Sequence, residues 1–252
     1  MLKKKIIKDV FLSKGYYDKF VISKKETKLL YEIIKQNFLF IVSKLEKKNY
    51  EIIKKIDLKD YHKYSNLIDH QNIMQKKNRL IKPKYLIKIK KMKFFKKLKL
   101  IFKNFKILNF EKIYNEEIDW RIVRPIKSDT SPLHRDAWFW SLNKRKIKRD
   151  CTRVKIWIPI FCERGKNGLS YVPRSHKDKI LLKNKNLRKD GLIKPGIVNK
   201  KMNIEIFKSK NGQCFIFNDN LMHGGLSGGK RTRISLEFTM LIKNKEINKY
   251  LV

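Results

Sequence analysis

Glycine is distributed unevenly along this chain of 252 residues, and that distribution constrains the fold more than any other feature. Residues 1 to about 110 contain one glycine, Gly15, and one proline, Pro83, whereas nine glycines follow residue 115 or so. Glycine-poor sequence with apolar residues three and four apart favours helices, and short apolar runs between glycines favour strands. The sequence therefore predicts a helix-rich N-terminal part and a β-rich core.

Six runs in the second part have the composition of strands: Trp120–Val123, Val154–Ile160, Leu169–Val172, Ile204–Phe207, Cys214–Phe217 and Ile234–Ile242. Turns are expected at Gly165, Gly168, Gly191, Gly196, Gly212, Gly224, Gly225, Gly228 and Gly229. This pattern is typical of a β-sandwich or jelly roll. The sequence contains no low-complexity linker and no internal repeat. We therefore predict one domain over residues 1–252, with a helix-rich part to about residue 110 and the β-rich core, which carries the site, over about 115–245.

Two N-terminal segments show helical patterns. From Ser23 to Ile56 apolar residues recur at steps of three and four, and Ser23 with Glu26 forms a capping-box sequence. Residues 82–106 hold eleven lysines and no acid, interleaved with apolar residues. We interpret the second segment as a scaffold element with a solvated lysine face; the alternative is a basic amphipathic helix on an anionic membrane surface.

The formal net charge is +40, from 63 basic and 23 acidic residues. Such a charge attracts polyanions, which makes nucleic acid a possible partner. However, 51 of the basic residues are lysine and only 12 are arginine, and a nucleic-acid reader more often uses the bidentate arginine fork. Lysine, isoleucine and asparagine also share A/T-rich codons, so composition alone can produce this bias, and we favour a small-molecule substrate.

The three cysteines, Cys151, Cys162 and Cys214, lie far apart and include no C-x-x-C pair. This spacing argues against a disulfide framework and a structural zinc site. The apolar start of the chain is interrupted by Lys8 and Asp9, and no stretch approaches the ~20 apolar residues of a membrane span. We expect a soluble, cytoplasmic protein.

His134 and Asp136 form an H-x-D pair after a turn. On an extended strand, residues two apart point to the same face, so both can reach one metal ion. His223 follows the run Cys214–Phe217 and precedes two glycines, which leave room near its backbone. Two histidines and one carboxylate leave three positions open on Fe(II). The expected metal ligands and catalytic residues are therefore His134, Asp136 and His223.

Arg233 and Ser235 stand ten and twelve residues after His223. On a strand they share one face, where a guanidinium and a hydroxyl can jointly bind a carboxylate. With this second site, the hypothesis becomes that the protein binds a metal ion together with a co-substrate that carries a carboxylate.

These residues resemble the phytanoyl-CoA dioxygenase-like family of Fe(II)/2-oxoglutarate oxygenases, whose members carry H-x-D, a distal His and R-x-S. Three further stretches over residues 115–242 fit that pattern: Trp157-Ile158-Pro159, Asn167-Gly168-Leu169-Ser170 and Val172-Pro173-Arg174-Ser175-His176. The resemblance implies a mainly β fold with α: a double-stranded β-helix (jelly roll, cupin-like) with N-terminal helices packed on one sheet. Arg174 departs from the family's usual glycine.

The resemblance also implies the cofactors Fe(II), 2-oxoglutarate and O2, with Arg233 and Ser235 binding the co-substrate's distal carboxylate. It implies a dioxygenase that hydroxylates a small metabolite, and the positive charge of the chain allows that metabolite to be acidic or carrier-linked. Related halogenases replace the residue at Asp136 with a small one. Two alternatives stay open: a nucleic-acid-modifying oxygenase, and a catalytically inactive jelly-roll binding protein. The nucleic-acid branch usually has a second arginine on the last strand, where only Lys243 and Lys245 follow.

Other residues near the motifs have less specific roles. Three aromatic residues that follow the H-x-D pair are expected to line the pocket or to pack in the core: Trp138, Phe139 and Trp140. His176 is a rival metal ligand by residue type, although the family resemblance implies that it is structural or lies near the pocket. His62 and His70 are expected on the surface.

Overall fold

The computed structural model describes residues 1–144, 147–179, 185–187, 193–195 and 202–251. Its helices are α1 Leu2–Lys8, α2 Lys24–Leu45, α3 Tyr50–Lys55, α4 His70–Ile73, α5 Pro83–Lys91, α6 Lys93–Ile101, α7 Asp136–Leu142 and α8 Lys245–Asn248. Its strands are β1 Tyr16–Val21, β2 Lys106–Ile107, β3 Asp119–Val123, β4 Cys151–Phe161, β5 Gly168–Tyr171, β6 Lys185–Leu187, β7 Ile193–Pro195, β8 Glu205–Ile206, β9 Gln213–Asn218, β10 His223–Leu226 and β11 Arg233–Lys243. Gly191 and Gly196, expected in turns, lie outside the described residues.

The strands form antiparallel sheets. The larger sheet has the order β1-β9-β4-β11-β2, and β3 also pairs with β11. A second sheet has the order β10-β5-β8, and β6 pairs with β7. All six predicted strand runs are found, with ends shifted by up to three residues. The predicted fold class, an antiparallel jelly-roll core with added helices, is confirmed.

Alternation along the strands gives the larger sheet two different faces. One face carries buried apolar residues, among them Trp120, Ile156, Leu236, Phe238 and Met240. They form one core cluster with apolar residues of α2 and α6; for example, the rings of Phe38 and Trp120 lie 6.1 Å apart. The N-terminal helices therefore pack on this face, as predicted, and the other face is left for the functional site.

The first helical segment begins as predicted and ends earlier. The side chain of Ser23 accepts a hydrogen bond from the Glu26 backbone, and the Glu26 side chain accepts one from the Ser23 backbone, so the capping box is present. Helix α2 stops at Leu45, and α3 begins only at Tyr50. The four residues between them, 46–49, are all polar and offer nothing to bury, so the chain turns there.

The lysine-rich segment folds as two helices, α5 and α6, separated by Met92 in an extended conformation. Leu86, Ile89, Phe95 and Leu98 are among the residues that it buries in the core, while most of its lysines are exposed. This arrangement favours the interpretation as a scaffold element. Among the residues described, no helix is long and apolar enough to cross a membrane.

The prediction of two surface histidines is wrong for His70. This residue is buried, with Nδ1 2.8 Å from the hydroxyl of Tyr61 and Nε2 3.1 Å from a carboxylate oxygen of Asp129. Arg124 donates two further side-chain hydrogen bonds to Asp129. His62 is half-buried and contacts Thr232. His70 is buried by Tyr61, which stacks on its ring, and by the loop at Asp129. The contact with Asp129 joins distant parts of the sequence, so the local pattern does not reveal it.

Candidate metal centre

His134 and His223 are brought together by their backbones. His223 begins β10, and His134 forms an isolated antiparallel bridge with it, so that each backbone N–H donates to the other residue's carbonyl, at 2.8 and 3.0 Å. The expectation that His134 and Asp136 share an extended strand is wrong, because Asp136 is the first residue of α7. Arg135 between them is extended, with φ −109° and ψ 134°, so both side chains still point to one side.

One carboxylate oxygen of Asp136 faces both imidazoles. Its Oδ1 atom lies 3.6 Å from Nε2 of His134 and 3.8 Å from Nε2 of His223. One ligand atom from each of the three residues lies within 4.8 Å of the others. This spacing suits three ligands around a single ion, at the ~2 Å ligand distances that such ions have.

Both histidines are oriented by backbone carbonyls. Nδ1 of His134 donates to the carbonyl of Pro132 at 2.8 Å, and Nδ1 of His223 donates to that of Leu221 at 3.0 Å. Because a carbonyl can only accept, the proton is on Nδ1, and Nε2 keeps its lone pair for a metal. Metal-binding histidines usually have such a partner on their second ring nitrogen.

The protonation of the cluster also suits a cation. Burial, followed by the neighbouring His134, lowers the pKa of His223 to about 4, so its imidazole is neutral at pH 7. Burial would raise the pKa of Asp136, but Lys155 and the two histidines outweigh it and hold this pKa well below its usual range. Oδ2 of Asp136 is buried and has no hydrogen-bond partner among the described residues. Neutral imidazoles and an ionised carboxylate are the forms that bind a metal, so the three residues fit Fe(II).

Arg233 and Ser235 lie on the inner face of the larger sheet, at the start of β11. One terminal nitrogen of Arg233 donates to the carbonyl of Gly168 in the second sheet, so this side chain spans the space between the sheets. Nε of Arg233 and Oγ of Ser235 are buried without a hydrogen-bond partner in the described part of the chain. Burial lowers the pKa of Arg233 to about 10, which still leaves it charged at pH 7. A charged donor and a hydroxyl that both have unused hydrogen-bonding capacity fit a carboxylate such as that of 2-oxoglutarate.

Sequence reasoning missed three charged residues on the same inner face. Lys155 of β4 lies 3.8 Å from carboxylate oxygens of both Asp136 and Glu237, and Arg121 of β3 donates to Glu237 at 2.8 Å. The available signal was a lone charge within each apolar run, Lys155 in Val154–Ile160 and Glu237 in Ile234–Ile242.

Apolar side chains also lie between the sheets. Trp157, Phe215, Phe217 and Tyr171 belong to a buried cluster there, and the ring of Phe217 lies 4.6 Å from that of His223. Outside this cluster, Phe139 and Trp140 of α7 pack on Phe110, with ring centroids 4.6 and 5.1 Å away. Both are only half-buried and lie on α7, the helix that begins at Asp136.

His176 does not join the metal cluster, which contains only His134, Asp136 and His223 among the residues described. It packs instead against Gly15, where an added Cβ would lie 2.5 Å from Nδ1 of His176. Arg174 adopts the left-handed conformation, with φ 61° and ψ −3°. This conformation favours glycine, and it accounts for the glycine expected at this position by resemblance.

Comparisons with known proteins identify the family and the fold of the chain. The family model described as phytanoyl-CoA dioxygenase (PhyH) matches residues 95–233, more than half of the chain. None of the curated proteins compared with the chain matches it.

Several solved structures share the fold. EvdO2 from Micromonospora carbonacea var. aurantiaca is 12% identical with a TM-score of 0.56, over 95% of this chain and 90% of that one. EctD from S. alaskensis, solved with 2-oxoglutarate and 5-hydroxyectoine, is also 12% identical with a TM-score of 0.56, over 94% and 75%. SnoK, an alpha-ketoglutarate-dependent carbocyclase from nogalamycin biosynthesis, is 10% identical with a TM-score of 0.54, over 95% and 83%.

The matched region contains His134, Asp136, His223 and Arg233, and Ser235 follows two residues later. The family resemblance and the cofactor set predicted from the sequence are therefore confirmed. The chain belongs to the phytanoyl-CoA dioxygenase family, the Fe(II)/2-oxoglutarate-dependent oxygenases that use O2 as their oxidant.

Proposed function

We propose that the chain is a hydroxylase in which His134, Asp136 and His223 hold Fe(II) and Arg233 and Ser235 bind 2-oxoglutarate. The substrate is a small metabolite, acidic or linked to a carrier. In the overall reaction, substrate R–H, 2-oxoglutarate and O2 give R–OH, succinate and CO2. The observation that carries the proposal is the position of Asp136 Oδ1, 3.6 and 3.8 Å from the Nε2 atoms of His134 and His223.

Each group of residues has a task in this reaction. Bound Fe(II) and 2-oxoglutarate supply the oxidising chemistry with O2. The carbonyls of Pro132 and Leu221 keep the two Nε2 lone pairs directed at the metal position. Arg233 and Ser235 fix the co-substrate by its distal carboxylate. The aromatic cluster around Trp157 and Phe217 limits access of water between the sheets.

Asp136 supports hydroxylation as the outcome. A carboxylate at this position would take the coordination position on the metal that a halide needs, and related halogenases have a small residue there. Incorporation of one atom of isotope-labelled O2 into an organic product, and the other into succinate, is the expected result. A cyclised or epimerised product without the label would contradict hydroxylation while leaving the oxygenase chemistry intact.

The first test is succinate release. Protein loaded with Fe(II) without air is given 2-oxoglutarate and O2, with and without a metabolite extract. We expect Fe(II)-dependent succinate that the extract increases, loss of this activity in Asp136→Ala, and its retention in the matched control His176→Ala. If the wild type releases no succinate and binds no Fe(II), the alternative of a catalytically inactive binding protein is favoured instead.

The charge of +40 supports one competing substrate class, nucleic acid. DNA or RNA that raises succinate release more than the metabolite extract, with binding that weakens as salt increases, would favour this alternative. We also propose the cytoplasm as the location, since Cys151, Cys162 and Cys214 are all free. Cell fractionation tests this assignment.

A further inference from the structure

The two carboxylate oxygens of Asp136 have different surroundings. Oδ1 faces the imidazoles of His134 and His223, at 3.6 and 3.8 Å. Oδ2 points away from them and lies 3.8 Å from the ammonium nitrogen of Lys155. A carboxylate can bind a cation through one or both oxygens, so the environment of Oδ2 decides how many ligand atoms Asp136 gives.

Lys155 is held in place from the opposite side. Its ammonium lies 3.8 Å from Oε1 of Glu237, and Arg121 donates to the same oxygen at 2.8 Å. The backbone of Lys155 pairs with Thr239, two residues beyond Glu237 on β11, so rigid strands fix both residues. The Lys155 side chain is only 14% exposed, and its ammonium nitrogen lies at the same distance, 3.8 Å, from each of the two carboxylates.

Lys155 lies between two carboxylates, with its ammonium nitrogen 3.8 Å from an oxygen of Asp136 and 3.8 Å from an oxygen of Glu237. A buried lysine beside a metal ligand is unfavourable for binding a cation, because two like charges repel more strongly in a low dielectric. Its presence therefore calls for a role other than strengthening the metal site.

We propose that Lys155 is a positioning residue that holds Oδ2 of Asp136 away from the metal, so that Asp136 supplies one oxygen. The inference rests on the proposed metal site. With one oxygen from Asp136 and one nitrogen from each histidine, three of six positions stay open. A second oxygen from Asp136 would take one of the positions that the co-substrate and O2 require.

The test uses Co(II), whose visible absorption reports its coordination number, in Lys155→Met and Lys155→Arg. We expect Lys155→Met to bind Co(II) roughly threefold or more tightly, because a positive charge is removed. Its spectrum with 2-oxoglutarate should indicate one more ligand, and its succinate release should fall. Lys155→Arg restores the wild-type spectrum, and Lys106→Met, at an exposed lysine of the same sheet, changes nothing.

The outcomes separate the two hypotheses. Wild-type protein that binds no Co(II) overturns the metal site and this inference together. Wild-type binding with unchanged or weaker Co(II) affinity and an unchanged spectrum in Lys155→Met overturns only the role of Lys155. Circular dichroism checks folding, and Lys155→Gln, which keeps a polar group beside Glu237, gives a second variant in which the same affinity and spectral changes are required.

Discussion

His134 and His223 are hydrogen-bonded to each other through both backbones, at 2.8 and 3.0 Å, and their rings lie 4.5 Å apart. The contact joins the segment before α7 to the second sheet, residues 89 positions apart in the chain. Main-chain hydrogen bonds, rather than a metal ion, therefore set the separation of the two imidazoles. A site prepared in this way can bind a cation without rearranging its backbone.

Removal of His223 should abolish stabilisation by metal. A cation that binds only the folded state stabilises it by about 2.7 kcal/mol at a concentration of 100 times Kd. We expect Ni(II) to raise the melting temperature of the wild type but not that of His223→Ala. The control His176→Ala should keep the shift, because its ring lies outside the cluster. Full retention of the shift in His223→Ala would remove this residue from the ligand set.

Replacement of Arg233 should weaken the binding of 2-oxoglutarate and leave the binding of the metal unchanged. A charge-assisted hydrogen bond contributes about 1.5–3 kcal/mol, so Arg233→Gln should raise the Kd of 2-oxoglutarate by roughly 10- to 100-fold. Ser235→Ala should raise it by about fivefold, as expected for a neutral hydrogen bond. Calorimetry on the metal-loaded protein measures both. Arg231→Gln is the matched control, since Arg231 pairs with Asp60 instead; an equal effect there would point to nonspecific loss of charge.

Arg174→Gly should stabilise the protein. Arg174 has φ 61°, and its side chain is exposed, so glycine relieves backbone strain and removes little contact. The expected gain is about 0.5–1 kcal/mol in the free energy of unfolding, measured with urea. Gly15→Ala is the counterpart, because φ is +87° and the new Cβ would lie 2.8 Å from Leu221. A loss of more than about 1 kcal/mol is expected there. Destabilisation by Arg174→Gly, or stabilisation by Gly15→Ala, would refute the argument.

Asp129→Asn should destabilise the protein in a pH-dependent way. Burial would raise the pKa of Asp129, but Arg124 and His70 outweigh it and hold this pKa far below its ordinary value of 3.8. Such a carboxylate adds stability above its unfolded pKa, and this contribution falls as the pH drops toward the folded pKa. We expect a loss of about 3 kcal/mol at pH 7, and a difference about 1 kcal/mol smaller at pH 3. A difference that is constant with pH would show that the charge of Asp129 is not responsible.

Much of the architecture could be predicted from local sequence. The capping box at Ser23 and Glu26 places the start of α2, and the six apolar runs place β3, β4, β5, β8, β9 and β11, but not β1 or β10. These signals are local, because a helix cap or an alternating strand depends on residues a few positions apart. The R-x-S spacing of Arg233 and Ser235 likewise follows from the two-residue period of a strand.

What the sequence determined by itself was the set of ligand types, two histidines, one aspartate and an arginine with a serine, and thereby the family. The tertiary structure decided how they meet. Lys155 and Glu237 face the site, and His70 is buried, only because β4 pairs with β11 and α4 packs on the Asp129 loop. A charged residue in a strand can face solvent or interior with the same local pattern. Long-range pairing fixes that choice, and with it the different surroundings of the two oxygens of Asp136.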